Sequence, residues 1–239
     1  MLTLSGRAAV ITGASAGIGA AVARELASAG ARLVLTARRQ DRLDALAEEL
    51  GCAALAADIG DPQTPSRLLA LTQERFGRAD ILVNNAGVLR IGTLDSFDLA
   101  DMDEMVRVNF VAPMRASYIF GRAMKTAGGG AIVNVSSIGA HLTGASTGIY
   151  GGLKRALEMA TESLRIELAG SGVRVGLVAP GTTSTEIFED MKADGQKGWD
   201  EYIVPLQPED VARAVRYMLE QPAHANVARV HVYSSQEGF

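Results

Sequence analysis

Seven short aliphatic runs recur along the chain: Ala8 to Thr12, Arg32 to Thr36, Ala53 to Ala56, Asp80 to Val83, Ala131 to Val135, Val173 to Val178 and Ala228 to Val232. Between them Gly19 to Ala29, Asp41 to Leu50, Pro65 to Phe76, Ala100 to Lys125 and Tyr150 to Ala169 repeat apolar residues at the helical period. This alternation leaves few folds open. Strands joined by helices run parallel through right-handed crossovers, and strands apolar on both faces need cover on both. The expected class is α/β, one doubly wound domain over residues 1–239 with a seven-stranded parallel sheet. Neither a repeat nor a linker divides it. The least regular stretch, 182–205, carries Gly195, Gly198, Trp199, Glu186 and Asp190, and reads either as a substrate flap or as a plain surface excursion.

Composition narrows the partners. With 48% apolar and 21% charged residues the chain can bury a full core, and a net charge of -4 with scattered arginines gives nucleic acid no footprint. Cys52 is the single cysteine, which rules out an internal disulfide and points to apolar filling. His141, His224 and His231 are dispersed in sequence without ligand spacing, so no metal is expected. The first residues lack a cationic start and cleavage site, and no apolar run reaches spanning length, which predicts a cytoplasmic protein without membrane contact.

The first run leads into Thr12-Gly13-Ala14-Ser15-Ala16-Gly17-Ile18-Gly19 as a helical pattern begins. Glycines there let the backbone approach a pyrophosphate, and free amides at a helix start favour its charge. Three glycines also make an ordinary turn; in strand-turn-helix context they point to a Rossmann-type dinucleotide site, with Gly13, Ser15, Gly17, Ile18 and Gly19 as contacts. The second run ends in Ala37-Arg38-Arg39 where an acidic residue would hold a free ribose 2′-hydroxyl. Two guanidiniums instead suit a 2′-phosphate, predicting NADP(H), although the same pair could simply open a solvated helix.

Tyr150 and Lys154 lie four residues apart, hence on one helix face. A phenol with pKa near 10 exchanges protons sluggishly at neutral pH, and a neighbouring ammonium would stabilise its phenolate. Ser137, at the end of the fifth run, can hydrogen-bond a substrate oxygen. Hydroxyls and amides of Thr182 to Thr185 fall near the place expected for a nicotinamide carboxamide. Each residue has a bland alternative: a chance helix pair, a turn cap, a satisfied backbone group.

Taken in order, these motifs resemble the short-chain dehydrogenase/reductase family over essentially the whole chain. The turn matches T-G-x-x-x-G-x-G, Asn84-Asn85-Ala86-Gly87 matches N-N-A-G, Ser137 stands thirteen residues before Tyr150-x-x-x-Lys154, and Pro180-Gly181 follows the sixth run. The resemblance implies that Asp58 contacts adenine and that Asn85, Ala86, Gly87, Pro180, Gly181, Thr182, Thr183 and Thr185 line the cofactor. It implies that Lys154 grips the nicotinamide ribose and, with Asn109, relays protons through water. It further implies pro-S hydride transfer between NADPH and a small-molecule carbonyl or alcohol, and a four-helix dimer or tetramer interface. The chain's end resembles the branch with NADP-dependent serine or 3-hydroxy acid dehydrogenases and clavulanate-type aldehyde reductases. One departure stands out: Gly151, Gly152 and Leu153 replace the small residues usual between the tyrosine and lysine, and paired glycines weaken a helix start by about 1 kcal/mol each. The alternatives to an enzyme of this kind are a catalytically silent NADP-binding regulator or scaffold, and an epimerase using nicotinamide transiently.

Overall fold

The computed structural model describes residues 2–189 and 197–238. Its strands are β1 (Ala8–Thr12), β2 (Arg32–Ala37), β3 (Ala53–Ala56), β4 (Ile81–Asn84), β5 (Gly130–Val135), β6 (Val173–Pro180) and β7 (Arg229–Val232). They form one sheet in the order β3-β2-β1-β4-β5-β6-β7, and every neighbouring pair is parallel. The helices are α1 (Gly17–Ser28), α2 (Gln40–Leu50), α3 (Thr64–Phe76), α4 (Leu99–Val106), α5 (Ala112–Thr126), α6 (Gly148–Glu167) and α7 (Pro208–Leu219).

Alternate strand residues feed two cores. Ala9 and Ile11 of β1, Leu33 and Leu35 of β2, and Ile81 and Val83 of β4 pack under α1, α2 and α7. Val10, Val34 and Leu82 face the other way, under α3, α5 and α6. This period of two, apolar on both faces, is what a doubly covered sheet requires. A buried polar chain ties the second layer to the sheet: the Asn84 amide donates to Ser117 Oγ at 3.0 Å and Asn134 Oδ1 at 2.8 Å, and the Asn134 amide donates to Thr161 Oγ1 at 2.8 Å.

Two elements differ from the sequence expectation. The helix expected from Ala100 to Lys125 is three pieces, α4, a π-helical turn at Arg107–Val111, and α5. Pro113 lacks the N–H that would return to the Asn109 carbonyl, so the regular ladder cannot continue there. Helix α7 was not anticipated; it opens with Pro208, Glu209 and Asp210, and the Asp210 carboxylate accepts from the Gln207 N–H at 2.8 Å. No helix among the described residues is long and apolar enough to cross a membrane.

Candidate active site

Strand order reverses between β1 and β4, and at the carboxyl ends of the strands opens a cavity of about 1230 Å³. Crevices at such a switch point are where open α/β sheets bind ligands. All the sequence-predicted site residues line it except Gly19 and Asn109, which lie directly behind its wall.

The glycine turn is tight enough to need its glycines. A side chain at Gly13 would place Cβ 2.8 Å from Ala86 Cα, and one at Gly19 would place it 2.2 Å from the Gly13 carbonyl oxygen. The Asn85 amide donates to the carbonyls of Thr12 at 3.0 Å and Gly13 at 3.2 Å, while Thr12 Oγ1 accepts from the N–H groups of Asn85 and Ala86, both at 3.0 Å. The Asn85 side chain therefore braces the turn. No side chain caps α1, whose N-cap is Ala16, so its opening amides face the cavity free of an internal partner.

Tyr150 and Lys154 sit one turn apart on α6, 7% and 4% exposed, with Lys154 Nζ 5.8 Å from the centre of the phenol ring. Lys154 donates to the Val135 carbonyl at 3.0 Å. Burial pushes the Tyr150 phenol above its usual value, opposed by a hydrogen bond with Ser137, and burial brings the Lys154 ammonium down to about 8. Ser137 Oγ accepts from the Gly139 N–H at 3.0 Å. Asn109 lies in the π turn with both ends of its amide spent on Val88, accepting from its N–H at 2.9 Å and donating to its carbonyl at 2.7 Å. A Cβ on Gly87 would fall 3.2 Å from Asn109 Oδ1 and 3.6 Å from Lys154 Nζ, so Asn109 backs the wall to which Gly87 and Lys154 belong.

The departure between Tyr150 and Lys154 has a physical reason at one position. A side chain at Gly151 would put Cβ 2.6 Å from the Gly139 carbonyl, on the turn that follows Ser137, whereas at Gly152 it would meet nothing within 4 Å. Leu153 is partly buried and packs into the second core.

At the far end of the cavity, Arg39 donates to Ser15 Oγ at 3.2 and 3.3 Å and to Glu186 at 2.6 Å, and Arg42 grips the same carboxylate. The Arg39 and Arg42 guanidiniums hold the Glu186 carboxyl below its usual value. Arg38 turns to Glu104 at 3.2 Å, and Asp58 pairs with Arg107 at 2.9 Å while accepting from the Gly60 N–H at 2.8 Å. After β6, the Thr182 N–H donates to Glu237 at 2.7 Å, Thr183 Oγ1 donates to the Gly181 carbonyl at 3.0 Å, and Thr185 methyl carbon closes on Gly17.

Several lining residues had no motif to announce them: Arg42, Leu142, Phe188, Tyr202, Gln236 and Glu237. Phe188 and Trp199 meet edge to face with ring centres 5.7 Å apart, joining the two described ends of the 182–205 stretch; Asp190 and Gly195 lie outside the described residues. His141 and His231, far apart in sequence, have ring centres 5.2 Å apart, yet among the described residues no three His, Cys, Asp or Glu side chains are arranged to hold a metal.

Residues 7–196 match the short chain dehydrogenase family. Sulfoacetaldehyde reductase 2 of Chromohalobacter salexigens is 35% identical over 240 residues, covering 96% of this chain and 95% of that protein. Among solved structures, the closed form of a serine dehydrogenase complexed with NADP+ superposes with a TM-score of 0.90 at 28% identity, covering 97% of this chain and 96% of the other. A metagenomic short-chain oxidoreductase in complex with NADP gives 0.84 at 33% identity, covering 99% and 100%.

Proposed function

The chain belongs to the short-chain dehydrogenase family of oxidoreductases, and from that premise we propose that it interconverts an aldehyde or ketone and its alcohol with NADP(H). The observation that carries this reading is the meeting of Ser137, Tyr150 and Lys154 in a cavity that an uncapped glycine turn also lines.

The residues present fit such a cofactor. The cavity exceeds the roughly 300–1,000 Å³ typical of small-ligand pockets, and the free amides and missing side chains at Gly13 and Gly17 suit a pyrophosphate. Arg39, held by Ser15 Oγ, and Arg42 already gather one anion, the Glu186 carboxylate, which supports a 2′-phosphate at that end and NADP(H) over NAD(H). Asp58 and Arg38 line the cavity where they would border an adenosine, and Asn85 to Gly87 with Pro180, Gly181, Thr182, Thr183 and Thr185 line it where they would border the nicotinamide half.

When bound, the reduced nicotinamide supplies the hydride. Tyr150 gives its phenolic proton to the carbonyl oxygen as negative charge develops there. Ser137 accepts from the Gly139 N–H and is hydrogen-bonded to Tyr150, which places its O–H to turn to the same oxygen when a carbonyl enters. Lys154, charged below about 8, lowers the cost of leaving a phenolate in a buried place. Because the Asn109 amide is committed to Val88, a proton relay at Asn109 uses its main-chain carbonyl, which Pro113 cannot engage. Phe188, Trp199 and Tyr202 line the cavity, which supports a substrate-covering role for the described parts of the 182–205 stretch. Exposed Tyr118, Met159 and Ile166 on α5 and α6 support pairing with a second copy, which sedimentation velocity would detect.

The test is binding of NADPH and NADH, followed by loss of absorbance from NADPH across a panel of aldehydes, ketones and 3-oxo acids. Tight NADPH binding with turnover is expected, and Tyr150→Phe should lose at least about a hundredfold in kcat while still binding NADPH. A folded protein that binds neither nucleotide would end this reading, and net NADPH consumption separates it from epimerisation.

A further inference from the structure

The polar groups not yet accounted for converge on Glu158. It lies on α6 one turn beyond Lys154, so Tyr150, Lys154 and Glu158 form a single stripe at four-residue spacing, and it is 1% exposed. A buried carboxylate persists only where partners replace its water. Here Ser136 Oγ donates to Oε1 at 2.8 Å, and His141 Nε2 lies 3.2 Å from Oε1 and 3.0 Å from Oε2. Arg155 and Arg229 approach Oε2 at 3.5 and 3.3 Å. Arg155 also donates to His141 Nδ1 at 3.1 Å, which leaves Nε2 as the protonated nitrogen and directs it to Glu158.

These partners have a common location. Ser136 immediately precedes Ser137, and His141 closes the short 3₁₀ turn, Ile138–Ala140, that Ser137 caps. Glu158 thus grips that segment at both ends, from the helix that carries Tyr150 and Lys154. Between the two grips the Gly139 carbonyl rests against Gly151, too close for a side chain. Resting on the functional reading above, we infer that Glu158 is a positioning residue for the reaction: through Ser136 and His141 it sets Ser137 relative to Tyr150.

Glu158 reaches neither the cavity nor the reacting atoms, so its effect should fall on kcat and leave cofactor binding alone. In folded protein, Glu158→Ala should lower kcat at least about tenfold with NADPH affinity nearly unchanged. Glu158→Gln, still able to accept from Ser136, should recover most of that loss. Hydrogen exchange of the Ser137–His141 amides, measured without substrate, should rise in Glu158→Ala and stay near wild type in Glu158→Gln. Wild-type kcat in Glu158→Ala, or unchanged exchange at those amides, overturns the inference. A wild-type protein that reduces no carbonyl defeats the functional reading instead, and the exchange data then decide the inference alone.

Discussion

At one end of the cavity Arg39 and Arg42 hold their guanidiniums half in solvent, gathered on an exposed carboxylate; at the other, Tyr150 and Lys154 are all but sealed from water. Exposed charges attract at long range but are screened and tolerate small displacements. Buried groups have shifted proton affinities and depend on their neighbours' placement to fractions of an ångström. Under the proposed function, the cavity would select its cofactor at a forgiving end and perform its chemistry at an unforgiving one.

The sharpest way to break that contrast is Gly151→Ala. The new methyl must push the Gly139 carbonyl aside and with it the Ser137 turn, and a shift approaching 1 Å at a reacting group costs about a hundredfold in kcat. NADPH affinity should hardly move; equal loss in both would mean that the two ends are mechanically coupled. Next in size is Arg39→Ala, expected to weaken NADPH roughly tenfold and leave NADH unchanged, as competitive titrations would read. Unchanged preference would remove the phosphate from this end.

Lys154 allows a subtler test. Its proton leaves near 8 in the folded protein and at the ordinary 10.5 in the unfolded chain, so between those values the unfolded chain binds more protons and stability rises with pH. Denaturant unfolding of the cofactor-free protein from pH 7 to 9 should show that rise, and Lys154→Met should lack it. Stopping at pH 9 avoids Cys52, which burial pushes up to about 11, and Tyr150, whose value is also raised; both act in the opposite sense at higher pH. The smallest expected effect is a control: Gly152→Ala, on the same helix turn but facing open space, should stabilise by about 0.5–1 kcal/mol with kcat unchanged.

The sheet was legible because its strands are apolar on both faces, a pattern that short runs such as Ala8–Thr12 carry within themselves. The candidate site residues were legible where backbone geometry demands a residue type, as at Gly13 and Gly19, or where helix periodicity pairs two groups, as at Tyr150 and Lys154. The π turn was not, since apolar recurrence continues through it and only Pro113 marks the break. Helix α7 was readable in retrospect from Val211, Ala212, Val215, Met218 and Leu219 at helical spacing behind Pro208. Glu158 and Glu237 had no local sign, and Glu186 only its place in the 182–205 stretch, because each acquires its role from partners on distant segments: Ser136 and His141, Thr182, and Arg39 and Arg42.

The buried amides of Asn84 and Asn134 have a consequence for how the chain reaches this shape. Their partners come from β4, α5, β5 and α6, so until all four elements are assembled each amide is better served by water. A half-built version of that layer would strand polar groups in an apolar interior, and it should therefore condense as one cooperative step. The layer that holds Tyr150, Lys154 and Ser137 in register is thus either wholly present or absent, and a partly folded molecule has no partly working site.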